Sequence, residues 1–170
     1  MAHSTKKLGM MFTSLAWIAA FFILVVAFSK ILDRQQNPNQ SLSTLQAGDF
    51  LEITLQRNKF GHYVFDGEIN HRKVTFLVDT GATTTAIPGH LQDELNLSRG
   101  YGYSVSTANG TATAYQTRLS QLAIGEIEMN DLNGSIIPAM NTHEVLLGMN
   151  VLKHLELIQR GDELIIRQYR

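Results

Sequence analysis

The sequence of 170 residues contains no cysteine. Disulfides, thiolate metal sites and a cysteine nucleophile are therefore excluded, and the redox compartment stays open. Strong charge of either sign is also missing. The net charge is -1, so nothing points to a polyanion, and no nucleic-acid partner is expected. Internal repeats and low-complexity tracts are absent. His62, His71, His90, His143 and His154 lack metal-ligand spacing, so neither a metal nor a cofactor is expected. Asp93-Glu94 sits on a short helical stretch and reads as a solvated pair, as do the charges of Lys153 and Arg160. Tyr101 and Tyr103 read as strand packing.

One long apolar run is present. Leu8 to Phe28 (LGMMFTSLAWIAAFFILVVAF) carries no charge over a length that spans a bilayer. A cleaved signal peptide has a shorter apolar region, and Ala27-Phe28-Ser29 is a poor cleavage site. A buried core helix would carry a polar stripe, which this run lacks. The expected organisation is therefore a tail over 1–7, a transmembrane helix over 8–28 and a polar linker over 29–49, followed by a domain over 50–170. Lys6 and Lys7 precede the run, and Lys30 and Arg34 follow it. This near-balance is read with the N-terminus in the cytoplasm and the domain outside.

From Phe50 onwards, short runs of valine, isoleucine, threonine and aromatics alternate with turn residues, which predicts an all-β domain. Strands are expected at Phe50 to Gln56, His62 to Ile69, Arg72 to Val78, Tyr101 to Thr107 and Thr111 to Leu119. Further short strands are expected at Leu119 to Ile124, Ile127 to Leu132, Ser135 to Pro138 and Glu144 to Leu147. Gly148 to Leu155 reads as a short helix capped by Asn150. Glu156 to Gln159 and Glu163 to Gln168 form a closing hairpin.

Three features bear on chemistry. Asp79-Thr80-Gly81-Ala82 ends an apolar strand with one carboxylate. Asn109-Gly110 is a hairpin-turn dipeptide. Leu146-Leu147-Gly148 precedes the short helix. Acid–base work on water wants one group to take a proton and one to give it. Asp-Thr-Gly occurs once, so the second group comes from elsewhere, and a two-fold dimer would supply a second Asp79. On its own, Asp-Thr-Gly is equally good turn chemistry.

The order of FLVDTGAT, VSTANGT (Val105 to Thr111) and Leu146-Leu147-Gly148-Met149 resembles the retroviral-type aspartic proteases, or retropepsins. The layout is closest to a family of bacterial aspartic proteases with one N-terminal membrane helix. The resemblance covers about Phe50 to Arg170. It implies a single-lobe retropepsin-like acid protease barrel with a short helix near the C-terminus. It implies Asp79 as the catalytic aspartate, with Thr80, Gly81 and Ala82 supporting the active-site loop. Thr107, Ala108, Asn109 and Gly110 would form a flap, and Leu146, Leu147 and Gly148 would back the loop. The partners implied are an extended peptide, a second copy of the chain and a lipid bilayer. The setting implied is a bacterial inner membrane with the domain on the periplasmic side. Thr83, Thr84 and Thr85 stand where viral enzymes commonly carry acidic residues. A module of the same fold that only binds peptide or dimerises is the alternative.

Overall fold

The structure, a computed structural model, describes residues 2–107 and 110–170, with side chains described from residue 9. The chain divides into two units, Met1–Gln35 and Gln36–Arg170. The first is almost all of one helix, α1 (Ala2–Gln36). Its stretch Gly9–Gln36 contains an 18-residue window with a mean hydropathy of 2.4 and is long and apolar enough to cross a membrane. Trp17, Phe21, Phe22 and Leu24 are all exposed on it, as an all-round apolar surface requires.

The second unit is β-sheet. β1 (Thr44–Ala47), β2 (Phe50–Gln56), β10 (Glu156–Arg160) and β11 (Glu163–Tyr169) form one sheet in the order β1-β2-β11-β10. The other sheet contains β3 (Val64–Ile69), β4 (Arg72–Val78), β5 (Thr85–Pro88), β6 (Gly102–Thr107), β7 (Gly110–Ile124), β8 (Ile127–Ile137) and β9 (Val145–Leu147). Its order is β3-β4-β9-β5-β8-β7-β6, and β3 also pairs with β7 at Ile69↔Leu122. That extra pairing closes the sheet into a barrel and leaves β6 outside the ring, its backbone paired with β7 alone. The helix α2 (Met149–Leu152) is short. Phe65, Phe76, Ile69, Leu122 and Ile124 fill the interior, with the two phenylalanine rings 5.4 Å apart. The all-β expectation, the short late helix and the apolar N-terminal helix all stand.

The hairpin of β3 and β4 turns at Asn70 and His71, with φ of 50° and 61°. Two left-handed residues give the turn whose twist matches the strands. The Asn70 side chain also accepts from the backbone N–H groups of Ser120 and Gln121 and donates to Leu95 O. It thus ties the turn to β7.

Several expectations need correction. Thr111 to Leu119 and Leu119 to Ile124 are one strand, β7, of 15 residues. Ile127 to Leu132 and Ser135 to Pro138 merge into β8. The polar residues between them suggest breaks in the sequence, but they lie on the solvent side of a continuous ribbon. There Arg118 grips the Asp131 carboxylate and, mainly through those hydrogen bonds, holds it below its usual range. More than half of the linker expected over 29–49 is also structured, since α1 continues through 29–36 and β1 covers 44–47. β1 pairs with β2, and Asn37 and Asn39 are buried. Asn39 accepts from Gln56 N at 2.8 Å and donates to the carbonyls of Gln56 and Val64 at 2.9 and 2.7 Å. An asparagine amide offers the donor and acceptor of a peptide group, so it joins two strands while reading as linker in the sequence.

Candidate active site

Asp79 follows β4 directly. That strand has an antiparallel neighbour, β3, and a parallel one, β9, with Val78 opposite Leu147. Val74 and Phe76 bury one face of it. The ladder continues one step beyond the strand, where Asp79 N–H donates to Leu147 O at 3.1 Å. The chain then turns, with Ala82 N donating to Asp79 O at 3.2 Å. Gly81 N donates to Asp79 Oδ1 at 2.9 Å, fixing one carboxylate oxygen. A Cβ on Gly81 would stand 3.2 Å from that same oxygen. Asp79 is half-buried, while Thr80 and Gly81 are exposed.

The segment after β9 holds the loop from the other side. Met149 N donates to Ala82 O at 2.8 Å, and Asn150 N donates to Thr83 O at 3.1 Å. Leu147 and Gly148 are buried, and Leu146 is half-buried opposite Ala86. A Cβ on Gly148 would lie 2.6 Å from both the carbonyl carbon and oxygen of Thr84, and 2.8 Å from Ala82 O. Only glycine allows the two backbones to come this close.

Asn150 does not cap α2. Gly148 holds the cap position, without a side-chain bond. The Asn150 side chain instead joins three segments. Its Oδ1 accepts from Thr85 N at 2.8 Å and from Thr85 Oγ1 at 3.2 Å, and its Nδ2 donates to Asn133 O at 2.8 Å. Thr85 is fully buried. Asn150→Ala leaves its N–H and hydroxyl without that acceptor. The expected cost is about 3 kcal/mol, from the penalty on unpaired buried groups. Chemical unfolding of wild type and variant measures it.

The structure therefore brings Asp79, Thr80, Gly81 and Ala82 beside Leu146, Leu147 and Gly148. Thr107 and Gly110 stand at the end of the β6–β7 hairpin, where Thr107 Oγ1 donates to Gly110 O at 2.7 Å. Ala108 and Asn109 lie outside the described residues. Sequence reasoning misses three further groups here. Asn150 reads as a cap, Tyr103 as packing, and Ser135 carries no signal. Among the described residues, no cluster of three or more metal-ligating side chains is present.

Comparison with known proteins agrees with this geometry. Residues 65–154 match the family model described as "gag-polyprotein putative aspartyl protease". An uncharacterized protein of the cobV 5' region in a Sinorhizobium species is 31% identical over 120 residues, covering 68% of this chain and 52% of the relative. An uncharacterized Rickettsia prowazekii protein, RP867, is 24% identical over 161 residues, covering 90% of this chain and 69% of the relative. The chain thus spans about half the length of the first of these relatives and about two thirds of the second. The crystal structure of a retropepsin-like aspartic protease from Rickettsia conorii superposes with a TM-score of 0.59 at 28% identity. It covers 75% of this chain and 96% of that one. The fold is retropepsin-like. The chain belongs to the gag-polyprotein aspartyl protease family.

Proposed function

We propose that this protein is a membrane-anchored aspartic endopeptidase that works as a homodimer. The observation that carries the reading is Asp79 itself. A family member has one aspartate at the end of a buried strand, with one oxygen held by Gly81 N–H and a backbone locked to Leu147 and Met149. The loop that bears it is exposed at Thr80 and Gly81.

In the dimer, two Asp79 carboxyls face each other across the two-fold axis. Groups so close do not both carry charge, so they share one proton. A water lies between them. The ionised carboxylate takes a proton from the water as its oxygen attacks the peptide carbonyl carbon. The protonated partner gives its proton to the amide nitrogen as the C–N bond breaks. Thr80 of each loop holds the other loop through its hydroxyl. Gly81 keeps backbone close to the substrate, which lies extended and bonds like an added strand. The β6–β7 hairpin closes over it. The helix α1 anchors the chain, with the domain on the periplasmic side of a bacterial inner membrane.

Peptide cleavage by the full chain in detergent, compared with Asp79→Asn, tests the reading. Peptide binding that survives the substitution, with no hydrolysis by wild type, would instead identify a binding or dimerisation module.

A further inference from the structure

The threonine run after the aspartate has different uses for its members. Thr83 accepts from Asn150 N through its backbone carbonyl and Thr85 donates to the Asn150 side chain, whereas Thr84 turns elsewhere. Its Oγ1 lies 2.6 Å from Ser135 Oγ, which lies 2.5 Å from the Tyr103 hydroxyl. Ser135 is 1% exposed, and the other two are half-buried. These hydroxyls come from three places: the aspartate loop, β8 and β6. β6 is the sheet's edge, held along its length only by β7. Among the described residues, Tyr103 makes the one side-chain hydrogen bond from β6 to anything outside its own hairpin.

We propose that Tyr103, Ser135 and Thr84 form a latch that fixes the β6–β7 hairpin against the aspartate loop of the same chain. Tyr103 is then a positioning residue for cleavage. This rests on the reading above, in which that hairpin covers the substrate. A hydroxyl both donates and accepts, so three in a row satisfy one another, and each bond polarises the next. Ser135 is the buried middle link, and a buried hydroxyl holds its partners because water cannot replace them. The latch is also weak enough to open. A neutral hydrogen bond shifts an equilibrium by roughly threefold to tenfold, which suits a cover that must lift in every turnover. Ring packing alone, beside Tyr101 at 6.1 Å between centroids, would not need the hydroxyl.

The test is amide hydrogen exchange on the full chain in detergent micelles, for wild type, Tyr103→Phe, Thr84→Ser and Thr84→Val. Tyr103→Phe keeps the ring and removes only the hydroxyl. Thr84→Ser keeps the hydroxyl, and Thr84→Val removes it at equal size. Exchange over the hairpin should rise about threefold to tenfold in Tyr103→Phe and Thr84→Val, and stay near wild type in Thr84→Ser. Exchange in the β1-β2-β11-β10 sheet should not change, which separates unlatching from general loss of structure. Peptide kinetics should show KM raised by a similar factor and kcat held within about twofold, since an open cover weakens binding more than chemistry. Equal hairpin exchange in all four proteins overturns the latch. A raised KM with unchanged exchange overturns it too, and assigns Tyr103 to direct substrate contact. If wild type cleaves no peptide, the protease reading fails, and exchange still decides the latch.

Discussion

Replacing Asp79 with asparagine lowers peptide cleavage by about a thousandfold or more, measured as kcat/KM on the full chain in detergent. Asparagine has nearly the shape of aspartate, and its carbonyl oxygen can still accept from Gly81 N–H. The strand, the turn and the bonds to Leu147 and Met149 involve backbone, so the loop keeps its form. On the proposed mechanism, what disappears is the group that takes a proton from water, together with the group that returns one to the amide. In a homodimer both are lost in a single substitution. The folded state should lose little, so the thermal midpoint stays within a few degrees while activity vanishes. Cleavage by Asp79→Asn at wild-type rate would remove Asp79 from the chemistry.

Gly148→Ala is the substitution with the largest expected structural effect. The new methyl meets only backbone: the Thr84 carbonyl carbon and oxygen at 2.6 Å and Ala82 O at 2.8 Å. A flexible side chain could swing away, but these atoms cannot. Ala82 O accepts from Met149 N, and Thr83 O accepts from Asn150 N. Thr85 next door is bound to the Asn150 amide. Relief therefore requires the aspartate loop and the segment over 147–150 to separate, breaking several of these bonds together. The expected loss is about 3 kcal/mol, at the upper end of the usual cost of overpacking. Below the unfolding temperature, activity should still fall by about a hundredfold, because displacing a catalytic group by an ångström costs that much. Unfolding curves and kinetics on the same samples check both. Wild-type stability in Gly148→Ala would mean that the loop and the glycine segment are not packed as described.

Much of this can be read from the chain, for physical reasons that differ by element. β2, β4 and the β10–β11 hairpin are legible because one face of each is apolar and the turns carry asparagine or glycine. Phe50 to Gln56 and Arg72 to Val78 have the same bounds in sequence and structure. The β7–β8 ribbon is not legible as two long strands, since Arg118, Asp131 and Asn133 resemble loop residues until their cross-strand bonds are seen. Asp79 stands out through its strand and its glycine. The residues that brace it do not. Asn150 bonds to positions 17 and 65 residues away, and Ser135 bonds to Thr84 across 51. No local pattern encodes such pairs, because only the closing of the barrel brings them together. The threonines that depart from the viral pattern are the clearest case. They look like a loss of acidic groups in the sequence, yet in the fold the hydroxyls of Thr84 and Thr85 fasten the loop.

On the proposed mechanism, one active site needs an Asp79 from each of two chains. Mixing wild type and Asp79→Asn in equal amounts, dissociating and reassociating them, and measuring total cleavage tests it most directly. Random pairing in a two-fold dimer leaves about a quarter of the dimers with both aspartates. If both are required, activity falls to about a quarter of that of the same total protein as wild type, on the same pairing argument. Activity of about one half would mean that each chain cleaves with its own Asp79 alone, and would contradict the claim.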